Sequence, residues 1–453
     1  MTFKSIDRDT PYLFPPSVQD WLPEDHLARF VVDIVSQLDL RALNACYKEN
    51  GEAAYPPSML LSLLFYGYAT GTFSSRALER KTYDSIDFRY IAANTHPDHS
   101  TISWFRKKFL EELKPLFLQI LSIAAESGLL KLGTVCLDGT KVKANASKHK
   151  AMSYKYACQL EKKLKLEVIK LMKLAEAADE SAIPDGMNLP EELKIREARL
   201  AKIAEAKVEI ERRAAERYET EKQEYEAKLA ERERKAQEKG RKPGGKPPQP
   251  PTAGVGDKEQ MNFTDPESRI MPKSGGGFEQ AYNAQASVDT DSRLIVGEHV
   301  SQKSNDKQEL EPALSELDKL PDSAGRVEKL NADNGYYSET NIETCERENI
   351  EPFIAMGREK HNQDVLERFA PPDHVPSTDA GAVEKMAYRL KTAEGRRTYG
   401  LRKQVVEPVF GIIKSVMGFK HFMLRGFEKV SGEWTLVCLA YNLKRMHIVT
   451  QEA

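Results

Sequence analysis

The sequence predicts an α/β protein in which a mixed β-sheet is flanked by helices and interrupted by a long helical insertion. Apolar strand patterns that end in aspartate occur twice, at Asp138 and at Asp333. Strand and helix patterns alternate after residue 261, as in a sheet covered by helices. Between these two regions, residues 152–239 are rich in Glu, Lys, Arg and Ala and show helical apolar spacing. A chain of 453 residues exceeds one compact core, so we expect two or three units.

The composition excludes several classes of protein. A net charge of −2 argues against a uniformly basic nucleic-acid coat, although local basic patches remain compatible with it. The five cysteines are widely spaced without a CxxC pair, which predicts neither a disulfide framework nor a zinc site. The first residues do not have the pattern of a signal peptide, and the longest apolar run, 59–69, is too short to span a bilayer. We therefore expect a reduced, cytoplasmic protein.

Residues 1–130 are predicted to form a helical N-terminal domain. Pro57 is suited to the first position of a helix that is apolar nearly all round. Ser100 is predicted to cap a second helix, which carries Arg106, Lys107 and Lys108. A short helix, a turn and a basic helix are typical of a helix-turn-helix DNA-binding domain. A small helical bundle with a solvated basic face is an equally weighted alternative.

The insertion is predicted to be a coiled-coil-like helical hairpin over 152–239, after a first part of the core over 131–151. Its first helix has an apolar seam formed by Leu160, Leu164, Val168, Leu171 and Ala175. A break at 181–190 separates this helix from a second one that runs to about residue 239. Solvated charge pairs are the simpler interpretation of its surface, with DNA contact or dimerisation as the alternative. Residues 240–260 are rich in Pro and Gly and predict a disordered linker.

The remaining elements form a recognisable order along the chain. A strand ends its apolar run at Asp138, and a β-hairpin is predicted over 278–300. A helix from Asp306 to Leu317, a strand ending at Asp333, a helix, a strand and a last helix from about Glu407 follow. This is the order of an RNase H-like mixed-sheet core, completed by residues 261–453. In such a core, strand-end aspartates converge beside a carboxylate from a helix.

Three carboxylates in one place imply metal-dependent chemistry. Asp138, Asp333 and Glu407 would repel one another unless a cation offset their charge. Carboxylate oxygens suit Mg²⁺ or Mn²⁺, and two such ions can activate a water or a 3′-hydroxyl at a phosphodiester. Each residue alone is weak evidence, because an aspartate after a strand is usually a turn residue and a glutamate is usually exposed. Basic residues after Asp138 and around Glu407, as a phosphate backbone requires, strengthen the interpretation.

The sequence also resembles a known family. Three blocks are similar to the catalytic blocks of bacterial insertion-sequence DDE transposases: LDGTKVKANAS, NADNGYYSE and YGLRKQVVEPVFGIIKSVMGFKHFMLRG. The branch is the one with a Tyr, Arg, Glu, Lys signature around the final glutamate. Two further segments resemble the same branch, YPPSMLLSLLFYGYATG and NFTDPESRIMPKSGGGFEQAYNAQASVD. The resemblance covers nearly all of the chain outside the insertion and the linker.

The resemblance implies roles for particular residues. Asp138, Asp333 and Glu407 match the catalytic carboxylates, which bind the metal ions. Residues expected to contact DNA phosphate are Lys414, Arg402, Lys403, Tyr399, Lys141 and Lys143. Four residues separate Arg402 from Glu407 where the family has three, and Lys403 occupies the three-residue position, so either one could contact phosphate. Pro408 predicts a helix start after the glutamate, and Lys414 would share the helix face of Glu407.

The implied function is DNA transposition. The N-terminal domain would bind the terminal inverted repeats of double-stranded DNA, and the core would cleave strands with two Mg²⁺ or Mn²⁺ ions and join the 3′-hydroxyl to target DNA. Such enzymes act as homodimers or larger assemblies, here in the bacterial cytoplasm at the nucleoid. A nuclease or resolvase-type enzyme on the same fold, and a non-catalytic DNA-binding scaffold, are the alternatives. Structural hydrogen bonding is expected for Asn283 and Gln285, and burial rather than base stacking for Trp434.

Overall fold

The computed structural model describes residues 17–47, 54–176, 187–239, 247–273, 275–357, 374–377 and 380–452. It divides into two compact units, which we call the core unit (1–145 and 271–453) and the insertion unit (146–270). Several predicted segments lie partly outside the described residues: 1–16 and 48–53 of the N-terminal domain, 177–186 of the helical hairpin and its break, 240–246 of the linker, and 358–373 of the core.

The N-terminal part of the core unit is helical. Its helices are α1 (Val18–Trp21), α2 (Leu27–Ser36), α3 (Arg41–Ala45), α4 (Pro57–Ala69), α5 (Ser75–Asp84), α6 (Ile86–Ile91), α7 (His99–Lys108) and α8 (Leu113–Glu126). They lead into β1 (Thr134–Lys143). Helix α4 begins with Pro57 at its first turn, as predicted, and nearly all of its later residues are buried. An apolar helix of this kind lies inside a core rather than on its surface.

Two predictions about α7 are wrong. The residue that caps it is Asp98, whose carboxylate accepts hydrogen bonds from the backbone of Ser100 and Thr101 at 2.8 and 3.0 Å. The negative charge of this carboxylate is also stabilised by the positive end of the helix dipole. With Asp98 as the cap, the helix begins one residue before Ser100. Arg106 is not on a solvated face, because only 7% of it is exposed. Its guanidinium donates to the hydroxyl of Tyr68 and to the carbonyl of Phe73.

The insertion unit consists of β2 (Ala151–Ser153), α9 (Tyr154–Glu176), α10 (Leu189–Lys239) and β3 (Gln260–Asn262), with β2 and β3 antiparallel. The two helices are antiparallel, because residues later in α9 contact residues earlier in α10. The contacting pairs are Tyr154 with Glu211, Glu161 with Lys207 and Glu167 with Arg196. Buried Ala157, Leu164 and Ile203 form the seam between them. Of the predicted linker, residues 247–260 are described, and Val255 and Glu259 contact the unit's apolar cluster and Arg217.

The rest of the chain completes the sheet and its helices. The strands are β4 (Arg269–Pro272), β5 (Phe278–Asp289), β6 (Ile295–Ser301), β7 (Lys329–Ala332) and β8 (Glu351–Ile354). The helices are α11 (Leu310–Leu317), α12 (Glu339–Arg347), α13 (Ala382–Lys391), α14 (Ala393–Gly411) and α15 (Phe427–Glu452). A π-helical turn, Ile412–Val416, continues α14.

The sheet is mixed, as predicted, with β1 near its centre. Strand β1 runs antiparallel to β5 and parallel to β7, and β8 lies parallel beside β7. The predicted hairpin is present, because β6 pairs antiparallel with β5, and β4 also pairs with β5. Strands β1 and β7 are adjacent although almost two hundred residues separate them, and this adjacency builds the site described below.

Two predicted helix starts are wrong. The helix predicted from Asp306 begins at Leu310, because Asp306 lies in a turn in which its carbonyl accepts from the Glu309 amide. The helix predicted from Glu407 begins at Ala393 instead, with the Thr392 side chain as its cap. Pro408 lies inside α14. Its missing N–H leaves the carbonyl of Gln404 without its helical donor, and Gln404 is exposed to water.

All five cysteines are free, and three of them, Cys136, Cys345 and Cys438, are buried. Among the described residues, no helix combines the length and the apolar character needed to cross a membrane. Trp434 is fully buried, and its indole N–H donates to the carbonyl of Gln285 at 3.0 Å. Burial of Trp434, rather than base stacking, is therefore confirmed.

Candidate active site

Parallel pairing of β1 with β7 brings Asp138 and Asp333 together. Leu137 is in register with Ala332, and each aspartate is the next residue of its chain. Asp333 begins the turn after β7, where its carboxylate accepts from the Gly335 amide at 2.7 Å. The Asp138 carboxylate accepts from the Gly139 amide at 2.8 Å. The two aspartates thus occupy equivalent places on neighbouring strands.

The electrostatic environment of Asp138 disfavours its charged form. Burial raises its pKa from 3.8 to about 6, and the negative charges of Asp333 and Asp306 act in the same direction. The Gly139 amide and the Arg402 guanidinium lower the pKa but do not offset the increase. The site therefore has too little positive charge to stabilise the ionised form of its carboxylates. A bound cation would supply that positive charge.

Arg402 links two of the predicted carboxylates. Its guanidinium lies 3.3 Å from the Asp138 carboxylate and 3.9 Å from the Glu407 carboxylate. The Arg402 side chain is 13% exposed, and its Nε is buried without a hydrogen-bond partner. Burial raises the pKa of Tyr399, and the charge and hydrogen bonding of Arg402 lower it. Lys403 is exposed, so the residue beside the carboxylates is Arg402.

Glu407 and Lys414 lie farther along the same helical segment. The Glu407 side chain is 57% exposed, and Arg402 connects it to the rest of the site. Lys414 belongs to the π-helical turn that continues α14. Its amine donates to the Thr140 hydroxyl and, at 3.3 Å, to the Lys141 carbonyl. Burial and the charge of Lys141 lower the pKa of Lys414.

The other predicted phosphate contacts are paired with acids. Lys141 lies 3.2 Å from the Asp306 carboxylate, and Lys143 lies 3.7 Å from that of Glu279. The Lys143 side chain is 46% exposed, whereas that of Lys141 is 23% exposed. Lys141 is therefore the one held against the site, and Lys143 is at its margin.

Sequence reasoning missed Asp306, which it placed in a helix. The Asp306 carboxylate accepts from the amides of Asn283 and Gln285 at 2.6 and 2.8 Å. Structural hydrogen bonding was expected for these two amides, and Asp306 is their partner. A signal was present in the sequence, since Asn283 and Gln285 lie two residues apart on one face of a buried strand. Buried amides on one face require a polar partner.

The residues offer the ligand chemistry of a hard divalent cation. Carboxylate oxygens suit Mg²⁺ and Mn²⁺, and Asp138, Asp333 and Glu407 supply them. Glycine at two positions allows neighbouring groups to approach closely, because a β-carbon on Gly139 would lie 2.7 Å from Asp306 and one on Gly335 would lie 2.8 Å from Asp333. Within the described ranges, however, no three His, Cys, Asp or Glu side chains are close enough together to form a metal site.

The raised pKa of Asp138 predicts a pH dependence of stability. The folded protein must carry a charge on Asp138 that burial disfavours, so metal-free stability should fall as the pH rises from about 4 through about 6. A shift of about two pKa units corresponds to about 2–3 kcal/mol. In EDTA, urea unfolding should show Asp138→Asn to be more stable than the wild type by this amount at pH 8 and equal to it near pH 3.5. Equal stabilities at pH 8 would contradict the electrostatic assignment.

The protein is an α/β protein with a carboxylate-based site. Its mixed sheet carries two aspartates on adjacent strands, and a helix beside them carries an Arg–Glu pair. Two family models match this chain: a transposase domain (DUF772) over residues 16–108 and a transposase DDE domain over residues 251–443. The chain belongs to the insertion-sequence DDE transposases, which confirms the family predicted from the sequence blocks. It is therefore a DNA transposase, with DNA as its substrate. No curated protein and no solved structure matches it significantly.

Proposed function

We propose that this transposase cleaves DNA strands at the ends of its element and joins each freed 3′-hydroxyl to target DNA, on an RNase H-like core. The observation that carries the proposal is the adjacency of Asp138 and Asp333 on parallel strands, with Arg402 linking Asp138 to Glu407. The strand order supports the core, since β6, β5, β1, β7 and β8 lie side by side with β5 antiparallel to both β1 and β6.

The proposed roles follow from the positions of the side chains. Asp138, Asp333 and Glu407 would hold two Mg²⁺ or Mn²⁺ ions. When bound, these ions supply an activated water or 3′-hydroxyl and stabilise the leaving oxygen. Arg402 would exchange its contacts with Asp138 and Glu407 for a DNA phosphate, which matches the planar donor geometry of its guanidinium. The remaining proposed phosphate contacts are Tyr399, Lys403, Lys414, Lys141 and Lys143.

The exposed side of α7 supports the proposed binding of the terminal repeats. Lys107 and Lys108 are exposed on this helix, and the Lys108 amine lies 4.6 Å from the ring centre of Trp104. Trp104 is itself 49% exposed. Cations beside an exposed aromatic ring suit a nucleic-acid surface. Because the two element ends must be held together while they are joined to target DNA, we propose a homodimer or larger assembly on DNA, acting at the bacterial nucleoid in the cytoplasm.

The test is a strand-transfer assay with a donor that carries the native ends, a target plasmid and Mg²⁺. Joined donor–target products are expected from the wild type, whereas a nuclease on the same fold would give cut donor alone. Glu407→Gln removes a charge with little change in shape and should slow cleavage at least about a hundredfold. Glu428→Gln, an exposed glutamate outside the site, is the matched control. Full cleavage by Glu407→Gln, or by the wild type in EDTA, would overturn the proposal.

A further inference from the structure

We propose that Asp306 is a fourth carboxylate of the active site and helps to hold a divalent cation there through its Oδ2. The proposal rests on the proposed function, because it assumes a cation beside Asp138 and Asp333. It is carried by the hydrogen bonds of Asp306, by the space next to Asp333 and by a buried oxygen without a partner.

The first observation is that one oxygen of Asp306 takes all three of its donors. Oδ1 accepts from the Asn283 amide at 2.6 Å, the Gln285 amide at 2.8 Å and the Lys141 amine at 3.2 Å. In the described part of the chain, no hydrogen bond reaches Oδ2. Three donors on Oδ1 fix the orientation of the carboxylate, so Oδ2 is held in place and available. The side chain is 22% exposed, which leaves a path to it.

The second observation is the position of that free oxygen. A β-carbon built on Gly335 would lie 3.6 Å from Asp306 Oδ2 and 2.8 Å from Asp333 Oδ1. One small space is therefore lined by oxygens of both aspartates, and the absence of a side chain at Gly335 keeps it open. On the other side, Gly139 brings the Asp138 strand next to Asp306, because a β-carbon there would lie 2.7 Å from Oδ1. Asp306 therefore lies near Asp333 and near Gly139, the residue that follows Asp138.

The third observation is independent of the acids. Asn283 is fully buried, and its amide nitrogen points at Asp306, but its Oδ1 has no hydrogen-bond partner. A buried carbonyl oxygen without a donor costs about 1–3 kcal/mol. A hydrated cation brings water donors into such a place, and this would satisfy the oxygen. The unpaired oxygen belongs to the same side chain that donates to Asp306.

A purely structural role leaves part of Asp306 unexplained. Asparagine at this position has a carbonyl oxygen that could accept the same bonds from Asn283 and Gln285. The second oxygen and the negative charge are then extra, and burying charge near two other aspartates is unfavourable. Lys141 offsets part of that charge. A cation shared with Asp333 accounts for the rest.

The test measures Mn²⁺ binding to the full chain without DNA, by isothermal titration calorimetry. Asp306→Asn keeps an acceptor at Oδ1 and removes the charged Oδ2, so the Mn²⁺ dissociation constant should rise about 10- to 100-fold. Asp318→Asn, an exposed aspartate after α11, should bind like the wild type. Melting in EDTA checks that each variant is folded. If Asp306→Asn does not fold, Gly335→Ala serves instead, since its methyl group enters the space beside Asp306 and Asp333 and should weaken binding.

The outcomes separate this inference from the proposed function. Wild-type Mn²⁺ affinity in Asp306→Asn, together with weakened binding in Asp138→Asn, overturns the role of Asp306 and leaves the carboxylate triad in place. Unchanged binding in Asp138→Asn, Asp333→Asn and Asp306→Asn alike overturns the metal site of the proposed function itself. Weakened binding in both Asp306→Asn and Gly335→Ala supports the fourth carboxylate.

Discussion

Replacing Asp138 by asparagine is expected to slow DNA strand cleavage by at least about a hundredfold, because even the outer partners of a metal site typically cost about 10- to 100-fold when they are mutated. Asp138 lies on the central strand, next to Asp333, and Arg402 contacts it directly. Asparagine fits the same space but supplies neither the charge nor the second anionic oxygen that a hard cation prefers. The measurement is the single-turnover rate of cleavage of a donor end with Mg²⁺ in excess.

Two controls make this result interpretable. DNA binding by Asp138→Asn should be retained, and the variant should melt no lower than the wild type in EDTA at pH 8, because the raised pKa of Asp138 signals destabilisation by its charge. Asp291→Asn, in the exposed turn between β5 and β6, removes the same charge away from the site and should cleave normally. A wild-type rate for Asp138→Asn would remove Asp138 from the chemistry.

The largest loss of stability is expected for Glu433→Ala, at about 3–5 kcal/mol. Glu433 is fully buried in α15, and burial raises its pKa. One carboxylate oxygen accepts from the Tyr68 hydroxyl at 2.7 Å, and the other accepts from the backbone amides of Met423 and Leu424. Removing it leaves these donors unsatisfied and the buried Arg106 without the nearby negative charge. Urea unfolding at pH 7 measures the difference in free energy of unfolding.

Matched substitutions separate the network from the helix that carries it. Tyr68→Phe removes two hydrogen bonds, the one donated to Glu433 and the one accepted from Arg106, and should cost about 1–3 kcal/mol. Glu428→Ala removes an exposed glutamate from the first turn of α15 and should stay within about 0.5 kcal/mol. A Glu433→Ala protein within about 1 kcal/mol of the wild type would show that the buried contacts are not stabilising.

This network has a consequence for the N-terminal helices. Tyr68 on α4 donates to this carboxylate on the C-terminal helix, and Arg106 on α7 donates to the Tyr68 hydroxyl. The backbone amides that Glu433 binds follow the π-helical turn, and the Met423 carbonyl accepts from Asn145 just after β1. The helices matched by the transposase domain (DUF772) are therefore packed on the same core that holds the aspartates, through buried polar groups.

The sequence by itself determined the features that depend on local pattern. Apolar runs followed by aspartate and glycine single out Asp138 and Asp333, because a charged side chain ends a buried apolar run. Asp333 does follow the end of β7, whereas Asp138 is the fifth of the ten residues of β1. Pro57 and the apolar run after it predict α4, and alternating residues predict the hairpin of β5 and β6. The quoted blocks were enough to identify the family. All of these signals lie within short stretches of chain, where the residues close in space are also close in sequence.

Only the tertiary structure decided which side chains meet. The transposase DDE domain match covers 251–443 and therefore excludes Asp138, which joins Asp333 because β1 pairs with β5 and β7 across the whole insertion. Tertiary contacts also decided that Asp306 pairs with Asn283 and that Arg402, rather than Lys403, lies beside Asp138. They likewise decided that the Arg106 side chain is buried. Each depends on contacts between residues distant in sequence, and local propensity carries no information about them. Long-range packing sets the partners of a polar residue, and for these carboxylates the partners decide the chemistry.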